Sequence, residues 1–205
     1  MARPKSFDED KVLDAAIDCF WRNGLKSASV RDLADEMGIA GPSLYNAYGC
    51  KKELFVQALG RYAEARMRVR LAHLEAAYPP KDAILTFFAE TIEDALKTSG
   101  QRGCLIANTA MEVTPQDTEI AAAVAAHLDE LRAFFVRAVA AGQASGTVPP
   151  ELDAEDAASL LLALLLGIRV MARTQATRER FEQAVRPVLA LLDIQLSPSE
   201  SRGHT

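Results

Sequence analysis

The chain has 205 residues, of which 49% are hydrophobic and 25% are charged, with 11 Gly, 9 Pro and 3 Cys. This composition is that of a globular protein, because disordered chains contain fewer apolar residues and carry a larger net charge. The three cysteines are too few and too scattered for a disulfide scaffold and form no CxxC pair, which favours a reducing compartment. The N-terminal residues lack the apolar core of an export signal, and the longest apolar run, residues 160–171, is too short to span a bilayer. We therefore expect a cytoplasmic protein that makes no contact with a membrane.

The formal net charge is −5, from 23 Lys and Arg against 28 Asp and Glu, which argues against a nucleic acid partner for the chain as a whole. The charge is unevenly distributed along the chain. Residues 1–70 hold 12 basic and 10 acidic side chains, a charge of +2, whereas residues 71–205 hold 11 and 18, a charge of −7. This asymmetry is too modest to indicate DNA binding by itself.

Apolar residues recur at helical spacing in almost every segment, and no stretch alternates as a strand would. Glycine and proline positions divide this pattern into an all-α fold of nine helices. The expected ranges are 8–22, 29–38, 41–48, 51–77, 81–98, 103–113, 116–143, 154–173 and 178–196. The first three helices are short and most of the others are longer, which predicts one domain at 1–50 and a second at 51–205. Residues 197–205 are expected to form a frayed tail.

Residues 30–48 carry the pattern of a helix-turn-helix. Leu33 and Met37 share the inward face of one helix, Gly38 permits a tight turn, and Leu44 faces inward on the next helix. The residues expected to project outward from that second helix are Gly41, Ser43, Tyr45 and Asn46. A short helix with this polar face fits the major groove of DNA, and Ser, Tyr and Asn can bond to base edges or phosphates.

Residues 7–55 resemble the DNA-binding domain of the TetR family of bacterial transcriptional regulators. The matching segments are Phe20 to Gly24, residues 27–34, Gly38-Ile39, residues 43–48 and residues 51–55. The resemblance implies a nine-helix TetR-like architecture with a C-terminal ligand-binding and dimerisation domain. It also implies a ligand-responsive repressor that acts as a homodimer on a palindromic, double-stranded DNA operator and responds to an unknown small-molecule inducer.

The resemblance also implies roles for individual residues. Ser43 and Asn46 would face bases, Tyr45 and Lys51 would hold phosphates, and the start of the preceding helix would contact the backbone. The full predicted DNA-binding set is Ser27, Ser29, Arg31, Gly41, Pro42, Ser43, Tyr45, Asn46, Tyr48 and Lys51. Ala40 stands where the family often has a capping Ser, so the recognition helix needs another cap. Because that helix carries little charge, affinity is expected to depend on Arg3, Lys5, Arg31, Lys51 and Lys52.

The last two predicted helices are the expected dimer interface. The eighth is apolar nearly all round, so it must be covered on more than one side. The predicted interface residues are Leu161, Leu164, Leu165, Ile168, Phe181, Val185, Val188, Leu189 and Leu192. The alternative is that they are buried within one chain. Arg169 lies inside the apolar run and requires a carboxylate partner or a path to the surface.

A ligand pocket is expected among helices four to eight. Its predicted lining is mostly apolar, with Asn108 and Glu112 as convergent polar groups four residues apart. The predicted set is Met67, Leu71, Phe88, Ile92, Cys104, Leu105, Asn108, Met111, Glu112, Phe134 and Phe135. Ordinary core packing is the alternative for each of them.

Cys104 follows Arg102-Gly103 at the predicted start of the sixth helix. The helix dipole and Arg102 would both stabilise a thiolate, the form that electrophiles and oxidants attack. An alternative function is therefore a thiol-based redox or electrophile sensor, or stress protein, that works through Cys104. The competing interpretation is that Cys104 is a small buried hydrophobe. A third possibility is a small-molecule-binding module that docks to another protein.

No enzymatic constellation is present in the sequence. His73, His127 and His204 are far apart and lack the spacing of metal ligands, and no GxSxG, P-loop or GxGxxG motif occurs. We expect no catalytic residue, no metal and no cofactor.

Overall fold

The computed structural model describes residues 8–97, 102–174 and 176–193, and its regular elements in these ranges are all helical. Counting residues 51–77 as one continuous helix, the described chain forms nine helices, which confirms the predicted fold class. They are α1 (Glu9–Ser27), α2 (Val30–Met37), α3 (Gly41–Tyr48), α4 (51–77), α5 (Pro80–Leu96), α6 (Leu105–Glu112), α7 (Thr118–Ala144), α8 (Ala154–Ala172) and α9 (Arg178–Ala190). The proposed contacts of Arg3 and Lys5 and the expected tail at 197–205 lie outside the described residues.

The helix-turn-helix is formed by local signals in α2 and α3. The Ser29 hydroxyl accepts a hydrogen bond from the Asp32 N–H at 3.0 Å, and the Asp32 carboxylate accepts one from the Ser29 N–H at 3.0 Å, which makes a capping box at the start of α2. Gly38 ends α2 at φ 64°, a conformation that favours glycine. In the described chain, no side chain caps the start of α3 at Ala40.

Helix α4 connects the N-terminal helices to the rest of the molecule. It begins where the Cys50 N–H donates to the Glu53 carboxylate at 2.7 Å, and it ends before Pro79-Pro80. Residues Glu64–Arg68 form one π-helical turn within it. Such a turn inserts an extra residue and rotates the side chains that follow, and it is often found at functional sites.

The C-terminal helices pack around α7 and α8, which form the most extensive helix pair. Helix α5 contacts both, α9 covers α5 and α8, and α6 lies between α1 and the α7–α8 pair. A single hydrophobic core runs through both predicted domains. The edge-to-face contact of Phe20 with Phe55, with ring centroids 4.8 Å apart, joins α1 to α4 within it.

In the described ranges, no helix combines the length and apolar character that crossing a membrane requires. The apolar run in α8 is interrupted by Arg169, whose guanidinium donates to the Asp94 carboxylate of α5 at 3.0 Å. The prediction that Arg169 requires a carboxylate partner is confirmed.

Candidate functional site

Helix α3 presents the polar face that the sequence predicts. Leu44 is fully buried, whereas Tyr45 is 52% exposed and Asn46 and Pro42 are exposed beside it. Gly41 and Ser43 are half-buried at the start of the helix. The Tyr45 and Asn46 side chains can donate to and accept from a nucleic acid, and none of the exposed groups is charged.

The chain before α3 adds a second part of this surface. Ser27 and Ser29 are exposed, although the Ser29 hydroxyl is already engaged with Asp32. The Arg31 side chain is 90% exposed, with its Nε 3.8 Å from the nearest carboxylate oxygen of Asp35. Its guanidinium therefore remains accessible to solvent.

Tyr48 is not part of the exposed face of α3. It is 2% exposed and lies in the hydrophobic core. The inward turn of the helix that buries Leu44 also buries Tyr48, because residues four apart share one face. Tyr48 is therefore not accessible to DNA in this structure, which corrects that part of the prediction.

Lys51 has a different partner from the one predicted. Its ammonium donates to the carbonyl oxygens of Leu25, Lys26 and Ala28, at 2.9, 3.3 and 3.0 Å. An ammonium has three donors, so all of them are used at the end of α1, where a cation also complements the helix dipole. This placement corrects the prediction that Lys51 holds a DNA phosphate.

Other basic residues near α1 and α4 are also paired within the chain. Lys52 lies 3.4 Å from the Glu119 carboxylate of α7, and Arg22 lies 2.6 Å from the Glu36 carboxylate of α2. Arg61 bonds to Asp14 and Asp10, each at 2.7 Å. The Arg61 hydrogen bonds hold the pKa of Asp14 below its usual value.

A cavity of about 560 Å³ lies between α1 and the helices α4 to α8. This volume is typical of small-molecule sites. Of the predicted lining, Met67, Leu71 and Cys104 border the cavity. Its other apolar walls include Ile106, Leu128, Leu131 and Leu165.

The predicted aromatic lining belongs instead to the core. Phe88, Phe134 and Phe135 are fully buried, and Ile92 is 6% exposed. The rings pack on one another, with Phe88 stacked on Phe135 at a centroid distance of 5.8 Å. Because these side chains fill the contact between α5 and α7, they have no surface left to face a ligand.

The predicted polar pair on α6 faces α1 and not the cavity. The Asn108 amide donates to the Arg102 carbonyl at 2.8 Å, and the Glu112 carboxylate accepts from the Leu25 N–H at 3.1 Å. Together with Leu105 they line a smaller cleft of about 110 Å³. Met111 is 59% exposed at the surface and borders neither space.

The Glu112 contact lies at a kink in α1 close to the end that the sequence predicts for this helix. Gly24 adopts φ 77°, and a Cβ built there would lie 2.8 Å from a Glu112 carboxylate oxygen. The helix continues after Gly24 to Ser27, five residues past the expected end at Arg22. Glycine is required at this position for both its conformation and the close approach of α6.

The polar part of the cavity wall consists of residues that the sequence analysis did not select. Arg70 donates to the Glu90 carboxylate at 2.9 Å, the Phe87 carbonyl at 2.7 Å and the Thr91 hydroxyl at 3.1 Å. Arg169 borders the same cavity from α8. Burial lowers the pKa of the Arg70 guanidinium and the Arg169 charge adds to this effect, while Glu90 opposes it. The spacing of Glu90 and Asp94, four residues apart on α5, places both carboxylates on one face, which the sequence alone indicates only as a solvated helix face.

Trp21 brings α1 into the cavity wall. Its ring contacts the Tyr62 ring edge to face at 5.2 Å, and the Arg66 guanidinium lies 5.1 Å from its centroid. Its indole N–H donates to the Arg102 carbonyl at 3.3 Å. A residue of the N-terminal domain therefore borders the space in which a ligand would lie.

Cys104 is half-buried and precedes α6. The Tyr62 hydroxyl donates to its Sγ at 3.7 Å, and burial raises the pKa of the Tyr62 phenol. Arg102 is directed elsewhere, because its guanidinium stacks on Trp21 at 4.4 Å and donates to Asp18 at 3.1 Å. This corrects the prediction that Arg102 supports the thiolate. Across the described ranges, no cluster of three or more His, Cys, Asp or Glu suits a metal ion.

Six of the predicted dimer residues are buried within the chain's own core. Ile168 and Phe181 are fully buried, and the others are at most 6% exposed: Leu161, Leu165, Val185 and Leu192. They are therefore unavailable to a partner, which corrects that part of the prediction. Leu164, Val188 and Leu189 are half-buried.

The opposite face of α8 remains apolar and accessible. Leu160 is 42% and Val170 44% exposed, and Ala163 and Gly167 lie between them at helical spacing. The all-round apolar character of α8 thus corresponds to one buried face and one open face.

The N-terminal and C-terminal parts of the chain both match family models. Residues 12–58 match the model described as bacterial regulatory proteins of the tetR family, and residues 80–188 match the tetracyclin repressor-like C-terminal domain. The second match alone covers more than half of the chain.

Individual relatives agree with these models. YezE of Bacillus subtilis (strain 168), named as an uncharacterized HTH-type transcriptional regulator, is 31% identical over 94% of this chain and 100% of its own length. ComR of Escherichia coli (strain K12), an HTH-type transcriptional repressor, is 28% identical over 92% of this chain and 90% of its own.

A solved structure shows the same architecture. This structure is that of CifR, a TetR family regulator solved as a cysteine mutant with 26 bp double-strand operator DNA. It matches with a TM-score of 0.82 and 32% sequence identity, and the match covers 92% of this chain and 98% of the CifR chain. The chain belongs to the TetR family of helix-turn-helix transcriptional regulators, which are not enzymes.

Proposed function

We propose that the chain is a ligand-responsive repressor that binds a palindromic operator as a homodimer. In this proposal residues 1–50 read DNA, and residues 51–205 bind the ligand and dimerise. The observation that carries it is the position of Trp21, because one residue of the DNA-reading helices borders the ligand cavity. A ligand can act only if it binds more tightly to one of two conformations of the protein. Because Trp21 of α1 forms part of the cavity wall, a movement of α1 would change the cavity and therefore its affinity for the ligand.

Helix α6 is the second connection between the cavity and the DNA-reading helices. Ile106 and Ala107 border the cavity, while Asn108 and Glu112 on its other side bond to Arg102 and to the kink in α1. A ligand that displaces α6 therefore displaces α1 as well. We propose that this movement changes the distance between the two α3 helices of the dimer, so that they no longer fit successive major grooves.

The proposed DNA-contacting surface comprises Ser27, Ser29, Arg31, Gly41, Pro42, Ser43, Tyr45 and Asn46. The test is the binding of the purified chain to duplexes from its own promoter region, measured by fluorescence anisotropy over a range of salt concentrations. We expect Tyr45→Ala to weaken binding roughly tenfold, through loss of a hydrogen bond to phosphate. Tyr78→Ala is the matched control, because Tyr78 is also exposed, at 39%, but lies at the end of α4. Equal binding by both variants would overturn the assignment of α3.

The open face of α8 supports the proposed dimer. Monomeric proteins rarely leave such a stripe exposed, and a two-fold axis can pair it with itself. We expect the double variant Leu160→Glu/Val170→Glu to elute as a monomer and to lose operator binding. Val69→Glu, at a still more exposed apolar residue on α4, is expected to keep the dimer. Light scattering after size exclusion gives the masses, and a dimeric double variant would contradict the proposal.

A thiol-based sensor is the second candidate function. It is favoured by the position of Cys104 Sγ in the cavity wall with the Tyr62 hydroxyl as a hydrogen-bond donor. In this case one modification of Cys104 would release DNA, and Cys104→Ser would bind DNA without responding to the reagent. Cys50→Ser is the control, since Cys50 is the exposed cysteine. Sustained turnover of a peroxide or electrophile would indicate a stress protein and would contradict a sensor. A response that persists in Cys104→Ser would remove this candidate.

A further inference from the structure

We infer that the cavity binds an organic carboxylate, with its carboxylate group at Arg70 and Arg169 and an apolar body against Met67, Leu71, Leu128 and Leu131. This inference rests on the proposed ligand-responsive function and names the chemical class of the ligand. The supporting observations are the hydrogen bonds of the two arginines, the balance of charge around them and the shape of the apolar wall.

Each guanidinium has donors that the described protein does not use. Arg70 donates through Nε and Nη2, and among the described residues its Nη1 has no acceptor. Arg169 donates only through Nη1, to Asp94, again counting only acceptors in the described ranges. A guanidinium carries five N–H donors in a planar fork that matches the two oxygens of a carboxylate.

Both groups are sheltered from solvent. The Arg70 side chain is 23% exposed and the Arg169 side chain 14% exposed, and both border the cavity. The Arg169 charge adds to the lowering of the Arg70 pKa, so the two like charges oppose each other, and an anion bound beside both relieves that opposition. Glu90, Phe87 and Thr91 occupy Nε and Nη2 of Arg70, so its Nη1 is the nitrogen available to a ligand. Asp94 occupies Nη1 of Arg169, so the edge formed by its Nε and Nη2 is available.

The charge of the whole wall also favours an anion. The cavity is bordered by the cations Arg66, Arg70, Lys97 and Arg169 and by the carboxylates Glu90, Glu93 and Asp94. Glu93 is held by Arg178 at 2.7 Å on its outer side. In the described chain no carboxylate lies within ion-pair distance of Arg66 or Lys97, which are exposed at the margin of the cavity. An approaching anion therefore meets an excess of positive charge.

The rest of the wall selects for an apolar body. Met67 and Leu71 come from α4, and Leu128 and Leu131 come from α7, on the other side of the cavity. Burial of a chain of methylene groups between them is favourable, at about 0.8 kcal/mol for each CH₂ group. A cation would be repelled by the arginines, and a neutral ligand would leave their donors unmet.

The test uses the full-length chain without DNA and octanoate as the probe. Octanol and octylamine are the neutral and cationic analogues with the same apolar chain. Binding is followed by the fluorescence of Trp21, the one tryptophan of the chain, and by the shift in Tm, with each probe kept below its micelle-forming concentration. We expect octanoate to bind and raise Tm, and octanol and octylamine to bind at least roughly tenfold more weakly.

The arginine variants locate the carboxylate. Arg169→Gln is expected to weaken octanoate binding roughly tenfold or more, and Arg137→Gln, which removes an exposed arginine paired with Glu75, is expected to have no effect. Arg169→Lys keeps the positive charge but lacks the planar guanidinium, so its affinity for octanoate is expected to lie between those of Arg169→Gln and Arg137→Gln. It also provides a folded variant if Arg169→Gln is unstable. Circular dichroism checks the fold of each variant.

Absence of octanoate binding, equal binding of octanol, or unchanged binding in both Arg169 variants would overturn the inference. These results leave the proposed repressor intact, because operator binding by the unliganded chain is measured separately. Conversely, if the chain binds octanoate through Arg169 but does not bind operator DNA, the carboxylate site is supported and the proposed repressor function is contradicted.

Discussion

The DNA-reading surface and the ligand cavity use their charged side chains in opposite ways. Around α1 to α3, Lys51, Lys52 and Arg22 are bound within the chain and the exposed face of α3 is neutral, so that Arg31 is the accessible cation of the proposed surface. At the cavity, Arg70 and Arg169 keep guanidinium donors that no described residue uses, although each has a carboxylate partner. A cation near a candidate surface is therefore not sufficient to identify a binding residue. What matters is how many of its donors the protein itself has already used.

The aromatic residues show the reverse contrast. Phe88, Phe134 and Phe135 fill the core between α5 and α7, whereas Trp21 and Tyr62 border the cavity. Helical spacing does not distinguish the two groups, because it predicts an apolar position for each residue. Only Trp21 and Tyr62 also border the cavity between α1 and the C-terminal helices. Four substitutions test these contrasts.

The largest effect is expected for Phe134→Ala. Since the ring is fully buried among other rings, its loss should lower the free energy of unfolding by about 3–5 kcal/mol in urea denaturation. Met111→Ala truncates an exposed residue of the predicted pocket set and should change the free energy of unfolding by less than about 0.5 kcal/mol. A cost below about 1 kcal/mol for Phe134→Ala would mean that the ring faces open space after all.

Lys51→Ala tests whether this lysine is structural. Three carbonyl oxygens at the end of α1 lose a charged donor, so we expect a loss of about 2–3 kcal/mol in the free energy of unfolding. Lys52→Ala removes the neighbouring charge from an exposed pair and should cost less than about 1 kcal/mol. Equal stability of the two variants, with weaker DNA binding only for Lys51→Ala, would restore the phosphate role.

Glu112→Ala tests the contact between α6 and α1. The Leu25 N–H loses its acceptor in a half-buried position, so thermal unfolding should report a loss of about 1–2 kcal/mol. Glu119→Ala is the control, since it removes a carboxylate that links α4 to α7 through an exposed pair with Lys52. If both variants behave alike, the Glu112 contact is no stronger than a surface ion pair.

The smallest effect is expected for Arg61→Gln, and it depends on pH. Because Arg61 lowers the pKa of Asp14 in the folded state, the pair stabilises the fold above the unfolded pKa of an aspartate, about 3.9, and this contribution is lost as the pH falls through the folded value. The pair is partly exposed, so the difference from the unsubstituted chain should stay below about 1 kcal/mol at neutral pH. Urea denaturation at several pH values measures it. A difference that grows on acidification would contradict the assigned sign.

The order and type of the helices followed from local patterns. Helical spacing and the breaks at Gly38 and Pro79-Pro80 predicted the observed elements, and the motif between Phe20 and Phe55 predicted the family. The continuation of α1 past Gly24 was not predictable, because it depends on Glu112, which lies far away in the chain. The π-helical turn in α4 likewise has no local signal among the residues that form it.

The sequence by itself determined an all-α chain, its helix-turn-helix and the exposed face of α3, because these depend on residues within a few turns of one another. Only the tertiary structure decided that Lys51 binds the end of α1, that Tyr48 and the phenylalanines belong to the core, and that α8 has one buried and one open face. It also decided that Trp21, Arg70 and Arg169 meet around one cavity. The physical reason is that helical periodicity specifies which side chains share a face, whereas the packing of distant helices specifies what that face contacts.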